Sequence, residues 1–154
     1  MNQFTHQEIV EIMELEFQKI DLPPQVKLQL PPPCFIEMEG IYVDYVKNKS
    51  FTVSFPVLSK QTNPMGVMQG GFITAAFDNV FGPLSYLIAK KPVVTLDLCT
   101  NYIRPAHLGD SITITCRLVG KGFSTMHLSG EARNQKNKPI ATATANCAIL
   151  SLPV

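Results

Sequence analysis

The residues best suited to chemistry stand together at the start of one apolar segment. It reads Asn63-Pro64-Met65-Gly66-Val67-Met68-Gln69-Gly70-Gly71, then Phe72-Ile73-Thr74-Ala75-Ala76-Phe77-Asp78-Asn79. Two consecutive glycines at a helix start leave backbone N–H groups bare of side chains. Those groups sit at the positive end of the helix dipole, where a developing oxyanion is stabilised. Taken alone, the pair fits a tight turn or close packing as well. Asp78 adds to the signal. Helical spacing puts Gly71, Thr74, Ala75, Asp78, Gly82 and Ser85 on one stripe, with Phe72, Ile73, Phe77, Val80, Leu84 and Leu87 on the opposite face. A carboxylate on such a stripe is either solvated in a cleft or paired. An exposed helix face or a structural hydrogen bond are the plainer readings.

Spacing then sets a constraint. Gly70 and Asp78 are eight residues apart, about 12 Å along a helix axis. A nucleophile or base acts within about 3 Å of the carbon whose oxygen the donor holds. If both groups act on one carbonyl, they come from different subunits and the site lies on a dimer interface.

Other chemistries find less support. His6, His107 and His127 are isolated from carboxylate pairs and from Cys at ligand spacing, so no metal site is expected. No Ser stands in a G-x-S-x-G elbow, and there is neither a G-x-G-x-x-G nor a phosphate loop. Cys34, Cys99, Cys116 and Cys147 are scattered, without a C-x-x-C pair, and read as buried reduced thiols of a cytoplasmic protein.

The elements that must position these groups follow from periodicity. Residues 5–20 read as an amphipathic helix, with Thr5 and Glu8 at capping-box spacing and Pro23 and Pro24 as its stop. From residue 35 the period is two: Ile41, Val43 and Tyr45 alternate with their neighbours, and after Lys47-Asn48-Lys49 so do Phe51, Val53 and Phe55. A loop covers 58–70 and a buried helix 71–89. Strands are expected near 93–103, 110–119, 123–133 and 139–151. On the last, Ala141, Ala143, Ala145 and Cys147 share one face, which suits close approach by a helix. Pro83 is expected to kink the long helix. An α+β domain results, an antiparallel sheet wrapped around one long helix. A doubly wound nucleotide-binding fold is excluded, since helices for both faces are lacking.

Composition agrees. A chain of 154 residues fits one domain, and 45% hydrophobic residues can fill its core. Thirteen Lys and Arg against twelve Asp and Glu give +1, which offers no global field for nucleic acid. Glu8, Glu11, Glu14 and Glu16 do not suit a secretory or mitochondrial leader. Phe72 to Ala89 has the length of a membrane span, but Asp78, Asn79, Gly82 and Pro83 fit a core helix better. The low charged fraction, 16%, points to surface covered by other subunits. Ile112 and Ile114, expected on the convex face of the sheet, suggest a tetramer.

The order strand-strand-helix-four strands, with Asn63, Gly66, Gln69, Gly70, Gly71 and Asp78-Asn79 at these spacings, resembles the hotdog-fold acyl-CoA thioesterases of the phenylacetate-degradation type. The resemblance covers about residues 35–151 and includes Thr95 to Pro105 and Leu108-Gly109-Asp110. It implies a helical extension over 1–34 and a hotdog domain over 35–154. It implies that the Gly70 N–H holds the thioester oxygen and that Asp78 of the other subunit is nucleophile or general base. Asn63 would position water or the carbonyl, and Thr95 would orient water. Gln69 departs from the family, which usually has His there; Gln cannot titrate but keeps a donor and an acceptor. The substrate would be an acyl-CoA, with Gly71, Arg104, Lys121 and Gly122 as contacts to it. Lys121 sits in a Gly-Lys-Gly turn expected to expose N–H groups. No cofactor, nucleic acid or membrane is implied, and self-association is to a dimer or tetramer. A non-catalytic acyl-CoA-binding or regulatory hotdog domain is the rival reading. A hydratase ranks last, because no His stands at the helix start.

Overall fold

The computed structural model describes residues 4–20, 22–23 and 25–151; Pro24, paired above with Pro23 as a helix stop, lies outside them. Helix α1 (His6–Phe17) begins with the expected capping box: Thr5 Oγ1 accepts the Glu8 N–H, and the Glu8 carboxylate accepts the Thr5 N–H. It ends at Phe17 rather than at residue 20. The Lys19 and Ile20 N–H groups reach back only three residues, to Glu16 and Phe17, and tighten the chain into a 3-10-like turn. A short helix α2 (Pro33–Glu37) stands where strand periodicity was expected to begin. Pro33 opens it, at a position where the missing N–H would be unbonded anyway.

Strands β1 (Ile41–Val46), β2 (Ser50–Pro56), β3 (Val93–Tyr102), β4 (Ser111–Lys121), β5 (Thr125–Asn134) and β6 (Pro139–Ile149) form one antiparallel sheet in the order β1-β2-β4-β5-β6-β3. Helix α3 (Gly70–Ala89) joins β2 to β3, carrying the chain beneath the sheet to its far edge. The strand that follows the helix is therefore an edge strand, paired with β6.

Inward and outward faces explain the core. Phe51, Val53 and Phe55 of β2 turn in, as the alternation predicts. On β1 it fails: a bulge between Tyr42 and Asp44 adds a residue, so Tyr42 and Tyr45 both turn in while Ile41 and Val46 face out. Ile112 and Ile114 also overturn an expectation. Both are fully buried with Cys116, and the outer face of β4 carries Thr113, Thr115 and Arg117. The isoleucines thus supply core rather than an apolar contact for a tetramer. Ala141, Ala143, Ala145 and Cys147 are buried as expected. At Gly130 a Cβ would lie 2.8 Å from Cys116 Sγ and 3.1 Å from the Phe77 ring, so β5 admits the helix only with glycine there.

Helix α3 buries Ile73, Ala76, Phe77, Val80, Phe81, Leu84 and Leu87 and continues through Pro83 without interruption. By length and composition it could cross a membrane, yet its apolar face lies against the sheet, as a core helix does. Ser85, assigned to the open stripe, is buried instead; its hydroxyl donates to the Gly82 carbonyl at 2.7 Å, which satisfies it locally. Helix α1 adds Ile9, Met13 and Phe17 to the same core. At its end Glu16 pairs with Lys90, the left-handed C-cap of α3, and with Lys19. These ammonium groups, Lys90 foremost, hold the Glu16 carboxyl down to about 2.

Candidate active site

The loop before α3 is built by Asn63. Its Oδ1 accepts the Met65 N–H at 2.9 Å and the Val67 N–H at 3.4 Å, while its backbone N–H donates to Val67 O at 2.8 Å. Gly66 takes the positive φ, 74°, that closes this turn. The Met68 N–H then donates to Ala106 O and the Gln69 N–H to Gln61 O, at 2.8 and 2.9 Å, so the loop is tied on both sides just ahead of the helix.

Gln69 is the N-cap residue, but its side chain makes no capping bond. Phe72 and Ile73 N–H groups turn back to Gln69 O, whereas those of Gly70 and Gly71 have no acceptor among the described residues. Two bare donors thus point out of the positive end of a twenty-residue helix.

Asp78 lies two turns along, exposed, where its Oδ1 accepts a hydrogen bond from Thr95 Oγ1 at 3.1 Å. A bulge in β3 produces this contact. Thr95 pairs with Cys147 and Asp97 with Asn146, consecutive residues of β6, so Leu96 is the extra residue. In a regular strand Thr95 and Asp97, two residues apart, would share a face. With the bulge, Thr95 turns toward the helix, and Asp97 joins the outer face. There Asn146 Nδ2 donates to both Asp97 oxygens at 3.0 Å, and Asn146 Oδ1 lies 2.7 Å from His127 Nδ1. Beneath Thr95, burial and the Asp78 charge push the Cys147 thiol up.

The remaining candidates are dispersed. Gly71 stands beside Gly70, with Gln69 Oε1 3.3 Å from where its Cβ would be. Arg104 Nη1 donates to Pro139 O at 3.0 Å, next to the start of β6. Lys121 pairs with Met126, which itself pairs with Cys147 near the end of β6. Arg104 and Lys121 therefore stand at opposite ends of one chain's sheet. The Gly122 N–H is not free as expected: it donates to Thr125 O at 2.8 Å. Cys34 and Cys99 are exposed, contrary to the expectation of burial, because α2 and the edge strand leave them uncovered. Among the described residues no cluster of three His, Cys, Asp or Glu side chains could hold a metal.

Tyr102, which sequence reasoning passed over, completes the helix start. Its hydroxyl donates to the Gly70 carbonyl at 2.9 Å, and a Cβ on Gly70 would lie 2.8 Å from its ring.

One long helix embraced by a six-stranded antiparallel sheet, with an exposed carboxylate facing the edge strand, defines a hotdog domain. The chain belongs to the Thioesterase superfamily, whose family model matches residues 65–141, half of the chain. It is 29% identical over 82 residues to acyl-coenzyme A thioesterase 13 of Homo sapiens. That match takes in 49% of this chain and 58% of the human protein, so the chain spans little more than half the length of this relative. Among solved structures, the PaaI protein of the E. coli phenylacetic acid degradation operon superposes with a TM-score of 0.74 at 18% identity, over 79% of this chain and 86% of that one. A Streptococcus mutans protein bound to acetyl-CoA gives 0.70 at 23% identity, over 87% and 100%. At these identities the structures establish the fold.

Proposed function

We propose that the chain hydrolyses an acyl-CoA thioester to the free acid and CoA, at sites shared between two subunits. The observation that carries this reading is the layout of α3. Bare N–H groups open the helix, and a carboxylate bonded by Thr95 stands about 12 Å further along it, too far for both to reach one carbonyl. A second copy supplies the missing half of each site. The free edge of β3 fits that partner: Leu96 is 62% and Tyr102 54% exposed, beside Phe72 at 37%. An unpaired apolar edge of this kind is ordinarily covered.

In the reaction, the thioester oxygen rests on the Gly70 N–H of one subunit. Asp78 of the other removes a proton from water as it attacks the carbonyl, or attacks the carbonyl itself and yields an anhydride that water then opens. Charge collects on the oxygen held by the amide, the C–S bond breaks, and CoA leaves as the thiol. Thr95 orients the carboxylate, and Asn63, whose Oδ1 is engaged in its own turn, offers its Nδ2 to water or to the carbonyl. Gly71, Arg104, Lys121 and the Gly122 turn would meet the CoA moiety, the two cations coming from different subunits of one site. CoA binding is supported by the acetyl-CoA complex of the Streptococcus mutans protein. Residues 1–34 are an extension to a hotdog domain over 35–154, and its helix α1 packs on the core of that domain. Four free thiols suit a reducing, cytoplasmic setting.

Release of free thiol from short, long and aromatic acyl-CoAs tests the reading. Turnover of at least one is expected, and Asp78→Asn, which keeps shape but not basicity, lowers kcat by about 10²–10⁴ with its melting temperature held. Wild-type turnover in a folded Asp78→Asn protein would overturn the mechanism. Binding without hydrolysis in the wild type would favour an acyl-CoA-binding module.

A further inference from the structure

The Tyr102 hydroxyl has no part in the chemistry above, yet it touches the peptide on which that chemistry depends. It donates to Gly70 O at 2.9 Å. Thr74 Oγ1 stands 2.8 Å from the same hydroxyl and 3.0 Å from Thr100 Oγ1, with one proton to give to either, which ties the first turn of α3 to the edge strand. The Gly70 carbonyl is also the acceptor for the Thr74 N–H in the helical ladder, so it takes two hydrogen bonds. That carbonyl and the Gly71 N–H belong to one planar trans peptide unit. Fixing the oxygen fixes the direction of the N–H. Drawing electron density to the oxygen leaves the N–H a stronger donor, as in any chain of linked hydrogen bonds. Among the described residues the Gly71 N–H has no acceptor.

We propose that Tyr102 is a positioning residue that orients and polarises the Gly70–Gly71 peptide, making the Gly71 N–H a second donor to the thioester oxygen. This rests on the thioesterase reading. A tyrosine that merely clamps the helix start would contribute stability and nothing else. The polarising role acts on the oxyanion, which exists only along the reaction path, so it belongs to kcat rather than to KM.

Tyr102→Phe keeps the ring against Gly70 and removes only the hydroxyl. We expect kcat to fall about tenfold, KM to stay within about twofold, and Tm to stay within about 3 °C. The amide nitrogen resonance of Gly71 should shift, while that of Gly130 in the core stays put. Fluorotyrosine incorporated at position 102, a stronger donor of nearly the same shape, should move the Gly71 resonance the other way. An unmoved Gly71 resonance in both proteins overturns the proposal, as does a lowered Tm with wild-type kcat per folded molecule. Failure of the wild type to turn over any acyl-CoA overturns the thioesterase reading instead, and shows before any variant is made. The Gly71 resonance reports on Tyr102 in either case.

Discussion

Asp78 and Gln69 stand at the same helix but carry unequal demands. Asp78 is held by Thr95, whereas Gln69 is exposed and makes no capping bond. The proposed chemistry uses the amide that follows Gln69, not its side chain. Gln69→Ala should therefore lower kcat/KM by no more than about tenfold, or ~1.4 kcal/mol, and Gln69→His should be tolerated or mildly activating. Steady-state kinetics with a common acyl-CoA checks both. A loss matching that of Asp78→Asn would give Gln69 a primary role. Asp78 was legible because a carboxylate on a stripe of small residues has few plain explanations. Tyr102 was not, since its partner is a backbone carbonyl 32 residues away, and no spacing rule reports such a contact.

At the scale of elements, the sequence pattern located every strand and the central helix, and it failed where a strand departs from period two. The bulge at Tyr42 and Asp44 turned Tyr45 inward, and the one at Leu96 separated Thr95 from Asp97. Neither is marked by Gly or Pro, so neither could be read beforehand. The second bulge yields a prediction: because it is what turns the Thr95 hydroxyl toward Asp78, Thr95→Ala should lower kcat beyond any loss of folded protein, and Thr95→Ser, which keeps a hydroxyl, should restore most of it. Activity per folded molecule, with folding followed by circular dichroism, decides it. Helix α1 offers a pH test. The Glu16 carboxyl is held down to about 2 by Lys90 and Lys19. A carboxyl with a depressed folded value binds fewer protons folded than unfolded, so its stabilisation is full above the unfolded value. That stabilisation is lost as pH falls toward 2. The pair is exposed enough that it should be worth at most about 1 kcal/mol. Thermal melts from pH 6 to about 3 should fall less steeply in Glu16→Gln than in the wild type.

At the scale of the whole molecule, the folded chain leaves β3 as an apolar edge beside its own site. Leu96→Lys places a charge on that edge, which a sheet partner would have to bury. Light scattering should show a smaller species, and turnover should fall although Asp78 and Gly70 are intact in every chain. An active monomer at assay concentration would refute the shared site. The spacing of Gly70 and Asp78 on α3 has one more consequence, and it concerns mixtures. Gly70→Pro removes the N–H at a helix position that accepts proline, made together with Tyr102→Ala to clear the ring its Cβ would meet at 2.8 Å, and Asp78→Asn removes the carboxylate; each protein alone should be inactive. Refolded together in equal amounts, they form hybrids in which both lesions fall in one site and the other site is wild type. Two dead proteins should then regain about a quarter of the wild-type sites by random pairing across a two-fold axis. A site contained within one chain would regain none.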